Sequence, residues 1–192
     1  MKVQSRIIRI AMLSVLMASS VTPMLKADPV NRIDTQNDLL TRVQAEWANI
    51  NYQVAKPQRA SAFAALSQTT GNWVNEQPND PAALIWHGIV LSSQAGAEGG
   101  LGALSLAKAA RDSLEKSLKL DPRALQGSAH TSLATLYSKV PGFPIGFGSA
   151  KKARQHFQKA LALNPEGIDP NFFYAEFLLD EGEYGLAIQH LE

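Results

Sequence analysis

Four histidines, His87, His130, His156 and His190, are the side chains of this 192-residue chain best suited to acid–base or metal chemistry. The chain has no cysteine, which excludes thiolate nucleophiles, disulfides, iron–sulfur clusters and a lipidated N-terminal cysteine. A zinc-hydrolase helix needs His-Glu-x-x-His, which sets two rings and a carboxylate on one face; none of the four histidines has that setting. No Gly-x-Ser-x-Gly elbow presents a serine nucleophile either. Gly146-Phe147-Gly148-Ser149-Ala150-Lys151-Lys152 has the composition of a phosphate loop. It lacks the spacing, which is Gly, four residues, then Gly-Lys-Ser/Thr after a strand. Ser149 suits an N-cap instead, accepting from free backbone N–H groups. An anion beside Lys151 and Lys152 is a second use of such a helix start. Asp169, Glu176, Asp180, Glu181 and Glu183 form an acidic stretch, which reads as a solvated helix face rather than a catalytic pair. The expectation is a protein that is not an enzyme and that uses no cofactor or metal.

These side chains need elements to hold them, and composition bounds what the elements are. Apolar residues make up 45% of the chain and charged residues 18%, a globular balance that excludes wholesale disorder. Residues 1–27 carry Lys2, Arg6, Arg9 and Lys26 and no acid. Ile10 to Ala18 form a short apolar run, followed by Ser19 and Ser20. That order is the pattern of a secretion signal, and the run is too short for a bilayer, which takes about 20 residues. The expectation is a periplasmic or secreted protein, cleaved after Ser20 or Ala27 and touching the membrane only through this segment. Removing 1–27 takes four of the 18 basic residues and none of the 17 acidic ones, which leaves a net charge near −3. Nucleic acid is then not an expected partner, since a binder shows a basic face. The one dense cluster, Lys151, Lys152 and Arg154, reads as solvated.

Self-similarity organises residues 28–192. Runs with apolar residues at three-to-four spacing close on Pro78, Pro122 and Pro165, and proline cannot continue a helix. In the last run Ala153, Phe157, Ala160 and Pro165 fall at fixed offsets, and Ala110, Leu114, Ser117 and Pro122 repeat them one unit earlier. Gly88, then Leu133-Ala134 with Tyr137, then Gly182-Glu183-Tyr184 with Ala187 supply further positions of the same register. The register resembles the tetratricopeptide repeat family. That resemblance implies an all-α fold, an α-solenoid of antiparallel helix pairs wound in a right-handed superhelix. Small residues at the fixed offsets let helices approach, large ones fill the contact, and neighbouring pairs must stack to bury their faces. The expected units are a degenerate pair at 28–78, repeats at 79–122 and 123–165, and a short last unit at 166–192. Trp47 and Trp73 lie on apolar stripes of the first pair and are expected in the core. His156 and His190 are 34 residues apart, hence on equivalent second helices with a first helix between them, and are not expected to share a metal. His87, one residue before Gly88, is expected to be half-buried and structural.

Against a 34-residue period, Pro78, Pro122 and Pro165 are 44 and 43 residues apart. The extra residues, Gln94–Leu104 and Val140–Gly148, read as two glycine-rich loops on one edge of the array. Glycine in them permits positive φ. Phe143, Ile145 and Phe147 are too apolar for a plain surface loop. They either pack back onto the array or build, with the first loop, a surface for a partner. The family resemblance further implies a groove lined by first helices. In register its candidates are Ile85, Ile89 and Ser92, then Thr131, Thr135 and Ser138, then Phe172, Glu176 and Leu179. The groove lacks the paired Lys and Asn with which some members clamp a peptide carboxylate. The functional expectation is a scaffold that binds a protein or peptide in the cell envelope. More distantly, the glycine-rich insertions resemble the periplasmic T-component of TRAP transporters, which implies a small-molecule or lipid carrier as the alternative. A deep apolar cavity between the loops belongs to the carrier, and a shallow groove to the scaffold. Leu186, Ile188 and Leu191 lack the capping helix that closes such arrays. Further chain, or another chain such as a second copy, is expected to cover them.

Overall fold

A computed structural model describes the backbone of residues 29–192 and the side chains of 38–192 other than that of Leu101. The signal segment expected at 1–27 lies outside the described residues. Among the described residues eight α-helices follow one another: α1 (Pro29–Tyr52), α2 (Lys56–Glu76), α3 (Pro81–Glu98), α4 (Gly100–Leu120), α5 (Ser128–Lys139), α6 (Ala150–Leu163), α7 (Ile168–Asp180) and α8 (Tyr184–Gln189). A 3-10 turn, Ala124–Gly127, leads into α5. None of the described helices is long and apolar enough to cross a membrane.

Local chemistry sets most of these boundaries. Pro81 opens α3, and the Asp80 side chain accepts from Ala82 N at 2.9 Å, so one free donor of the first turn is satisfied. Ser149 caps α6 as expected, accepting from Lys152 N at 3.3 Å. Pro78, Pro122 and Pro165 each stand two residues beyond the last helical residue of α2, α4 and α6, where proline cannot extend the helix.

Each helix packs antiparallel on the next, and the odd-numbered helices also touch in a row, α1 on α3, α3 on α5 and α5 on α7. The residues at the recurring offsets meet inside these contacts. Ala110, Leu114, Ser117, Ala134, Ala153, Phe157, Ala160 and Ala187 are all buried. Two cores result. Val43, Ile50, Phe63, Leu66 and Trp73 of α1 and α2 pack with Ala83 and Val90 of α3. Ile85 and Leu91, also of α3, join a larger core that runs through Leu114, Leu133, Phe157 and Leu178 to Ala187. α3 is the wall that both cores share.

One expectation is overturned. Gln94–Leu104 is not a loop: α3 runs through Glu98, α4 starts at Gly100, and the turn between them is Gly99. Gly99 and Gly100, both at φ 63°, supply the left-handed backbone that so tight a reversal needs. The extra residues lengthen the helices instead, to 18 and 21 residues against 12 and 14 for α5 and α6. Val140–Gly148 is a loop, but positive φ is not what its glycines provide; the glycines with positive φ are Gly99, Gly100, Gly127 and Gly182. At the far end Leu186, Ile188 and Leu191 are exposed.

Candidate functional site

The row of odd-numbered helices brings the groove candidates together, but not as one open face. Ile85 and Thr131 are buried, and Ile85 belongs to the larger core, so these two offer no surface. Ile89, Ser92, Thr135 and Ser138 are half-buried. Their hydroxyls turn to their own helices: Ser92 Oγ donates to Gly88 O at 2.7 Å, Thr135 Oγ1 to Thr131 O at 3.0 Å, and Ser138 Oγ to Thr135 O at 2.9 Å. With the proton engaged, each hydroxyl has only lone pairs to offer a ligand. Phe172 and Leu179 of α7 are exposed. Glu176 lies 3.4 Å from Lys139 Nζ, which also donates to Asp180 at 2.8 Å and so ties α5 to α7. Glu183 pairs with Arg154 of α6. Three of the five residues in the acidic stretch therefore join helices, besides meeting solvent.

The 140–149 loop is held by its own backbone. Gly148 N donates to Pro141 O at 2.9 Å, Gly146 N to Gly142 O at 3.0 Å, and Ser149 N to Tyr137 O at 2.8 Å. Its three apolar side chains divide. Phe147 turns inward, edge-on to Tyr137 with centroids 5.7 Å apart, and the Arg111 guanidinium lies 4.7 Å from its ring centre. Phe143 and Ile145 stay in water, 94% and 71% exposed. Between the loop and the end of α7 is a cleft of about 270 Å³, with Tyr137 and Ser138 on one side and Phe177, Asp180 and Glu181 on the other. A second cleft, of about 550 Å³, lies between α1 and α2 beside Val43 and Leu66. Neither lies between two loops, because the first expected loop is helical.

Tyr137 sits at the centre of this region. Its hydroxyl donates to Glu115 at 3.3 Å, and Lys152 Nζ stands 5.0 Å from its ring centre. Burial, then the Glu115 carboxylate, pushes its phenol above the ordinary range. The ring also stacks on His156 at 5.7 Å and 22°. His156 Nδ1 is in turn 2.9 Å from His130 Nδ1, and this bond joins α6 to α5. Burial lowers His130 to about 4, with His156 and Lys159 adding to the shift. Burial likewise lowers His156 to about 4, followed by Lys159 and Lys152.

The remaining histidines are accounted for singly. His87 Nδ1 bonds with Thr70 Oγ1 at 2.9 Å, and burial lowers its pKa. His190 bonds with Asn171 Oδ1 at 2.8 Å. His156 and His190 thus have separate partners. Among the described residues no group of three or more His, Asp or Glu is placed to hold a metal ion. Trp73 is buried as expected. Trp47 is half-buried and donates to Ser93 Oγ at 2.8 Å.

Sequence reasoning missed the His130–His156 pair. The available signal was adjacency, since His156 precedes the buried Phe157 and His130 lies three residues before the buried Leu133. No protein-family model matches the chain, and no curated protein is significantly similar to it.

Proposed function

We propose that this chain is an exported, non-enzymatic interaction module built of tetratricopeptide-like helix pairs. It binds a protein or peptide in a Gram-negative periplasm through the 140–149 loop and the exposed end of α7. The observation that carries this reading is the contrast within the loop. Phe143 and Ile145 stand in water, while Phe147 and the loop backbone are fixed. A loop already ordered loses little further entropy on binding, and a few buried apolar or aromatic anchors carry most of an interface's energy. Asp180 and Glu181 line the neighbouring cleft, so a partner with an apolar pocket for the two side chains and a basic residue beside it fits this surface. The repeat register and the buried small residues support the helix-pair reading. The basic and apolar order of residues 1–27 supports export.

A photoreactive amino acid at position 143 of the full chain, activated in intact cells, tests the proposal. One protein captured near stoichiometrically, and lost when Phe143→Ser and Ile145→Ser are made in a chain with the probe at position 179, is the expected result. Capture indifferent to both substitutions refutes the loop's part. A co-purifying lipid or metabolite with no protein replaces the scaffold by the carrier.

A further inference from the structure

The His130–His156 contact admits one proton between two nitrogens. The Nδ1 atoms are 2.9 Å apart, so one ring donates and the other accepts. A first added proton goes to the outer Nε2 of the donor ring and leaves this bond in place. A second must sit on the accepting Nδ1, and then two N–H groups point at each other. The charged neighbours do not relieve that conflict. From α6, Lys152 and Lys159 both oppose positive charge on His156, and Lys159 also opposes it on His130. From α4, Glu115 accepts from the Tyr137 hydroxyl and lies near Arg111, which holds Asp112. From α5, Tyr137 offers His156 a ring face and no acceptor atom.

The consequence extends beyond the two rings, because Tyr137 both stacks on His156 and meets Phe147 edge-on. Phe147 is the apolar anchor of the loop, and Tyr137 O receives the loop's closing bond from Ser149 N. We propose that His130 and His156 form an acid-sensitive latch. Protonation of both rings parts α5 from α6 at this point, withdraws the Tyr137 stack, and frees the 140–149 loop. No covalent step is involved, and the two protons come from solvent. The latch rests on the helix packing and on no assumption about a partner.

Two measurements on the full chain test it. Imidazole NMR should show the two rings titrating as a coupled pair, well below the usual value of about 6.5. Hydrogen exchange, corrected for its intrinsic pH dependence, should rise by about tenfold or more in residues 140–149 between pH 7 and pH 4. His156→Gln keeps a hydrogen-bonding group that cannot take a proton, and should remove the acid response of the loop. Rings that titrate independently near 6.5, or corrected exchange of 140–149 that stays flat, overturn the latch. The NMR titration needs no variant, so the proposal stays testable where His156→Gln does not fold. Capture indifferent to Phe143→Ser and Ile145→Ser, with an intact acid response, would refute the loop's binding role and leave the latch standing.

Discussion

At Gly88 a methyl group would stand 2.6 Å from Leu114 Cγ and 3.1 Å from Ala110 O. Leu114 is fully buried, so it has no free space to turn into. Overpacking of this kind costs about 1–3 kcal/mol, against about 1 kcal/mol or less gained in helix propensity. Gly88→Ala should lower the thermal midpoint, by roughly 2–4 °C per kcal/mol for a domain of this size. An unchanged midpoint by circular dichroism would show that α3 and α4 are not in close contact there. The histidine pair makes a second prediction at this scale. In the folded chain both rings are held to about 4, and in the unfolded chain they return to about 6.5. The unfolded state therefore binds more protons between those values, so stability present at pH 7 is lost as pH falls from about 6.5 toward 4. Urea midpoints should be lower at pH 5 than at pH 7, with a smaller difference in His156→Gln. Equal differences in the two proteins would assign the acid effect to other groups.

Within the 140–149 loop, side chains of the same type have unlike roles. Phe147 is half-buried between Tyr137 and Arg111, and Phe147→Ala should cost about 2 kcal/mol from lost apolar contact. Phe143 makes almost no contact with its own chain, and Phe143→Ser should stay within about 0.5 kcal/mol. Chemical melts of the two variants separate these outcomes, and equal losses would mean that Phe143 also packs inward. The first insertion shows why one loop was misread. Glycine content suggests a loop, yet Leu91, Gln94 and Ala95 of α3 and Ala107 and Ala110 of α4 are buried on either side of the exposed stretch 96–100, so the buried faces of the two helices flank the segment closely. A periodic apolar face outweighs isolated glycines, each of which costs a helix only about 1 kcal/mol.

Across the described residues, two cores meet at α3, so the two parts share a wall rather than a linker. The charge balance of residues 28–192 belongs to this scale as well. Residues 28–192 hold 14 basic and 17 acidic residues, a balance near −3 without the basic excess that draws a protein to polyanions. N-terminal sequencing of the chain recovered from the periplasm of its own host should begin at Val21 or Asp28. An intact Met1 in the cytoplasmic fraction would remove the export step. The exposed Leu186, Ile188 and Leu191 are also properties of the molecule as a whole, since their exposure depends on what else packs beside α8.

Much of the fold was legible in residue order, because it depends on near neighbours in sequence. Prolines two residues past helix ends, Ser149 at a helix start, and small residues at fixed offsets act through local backbone geometry and period. The candidate site was legible only in part. That Phe143, Ile145 and Phe147 needed a partner followed from their type, but which of them found one inside the chain depended on where α4 and α5 present Arg111 and Tyr137. Ile85 and Thr131 shared a register with exposed residues, yet the packing of neighbouring helices buried them. The histidine pair was decided by tertiary structure alone. Its two rings are 26 residues apart, and their contact depends on the rotation of α5 against α6, which an apolar period constrains to a face but not to an atom.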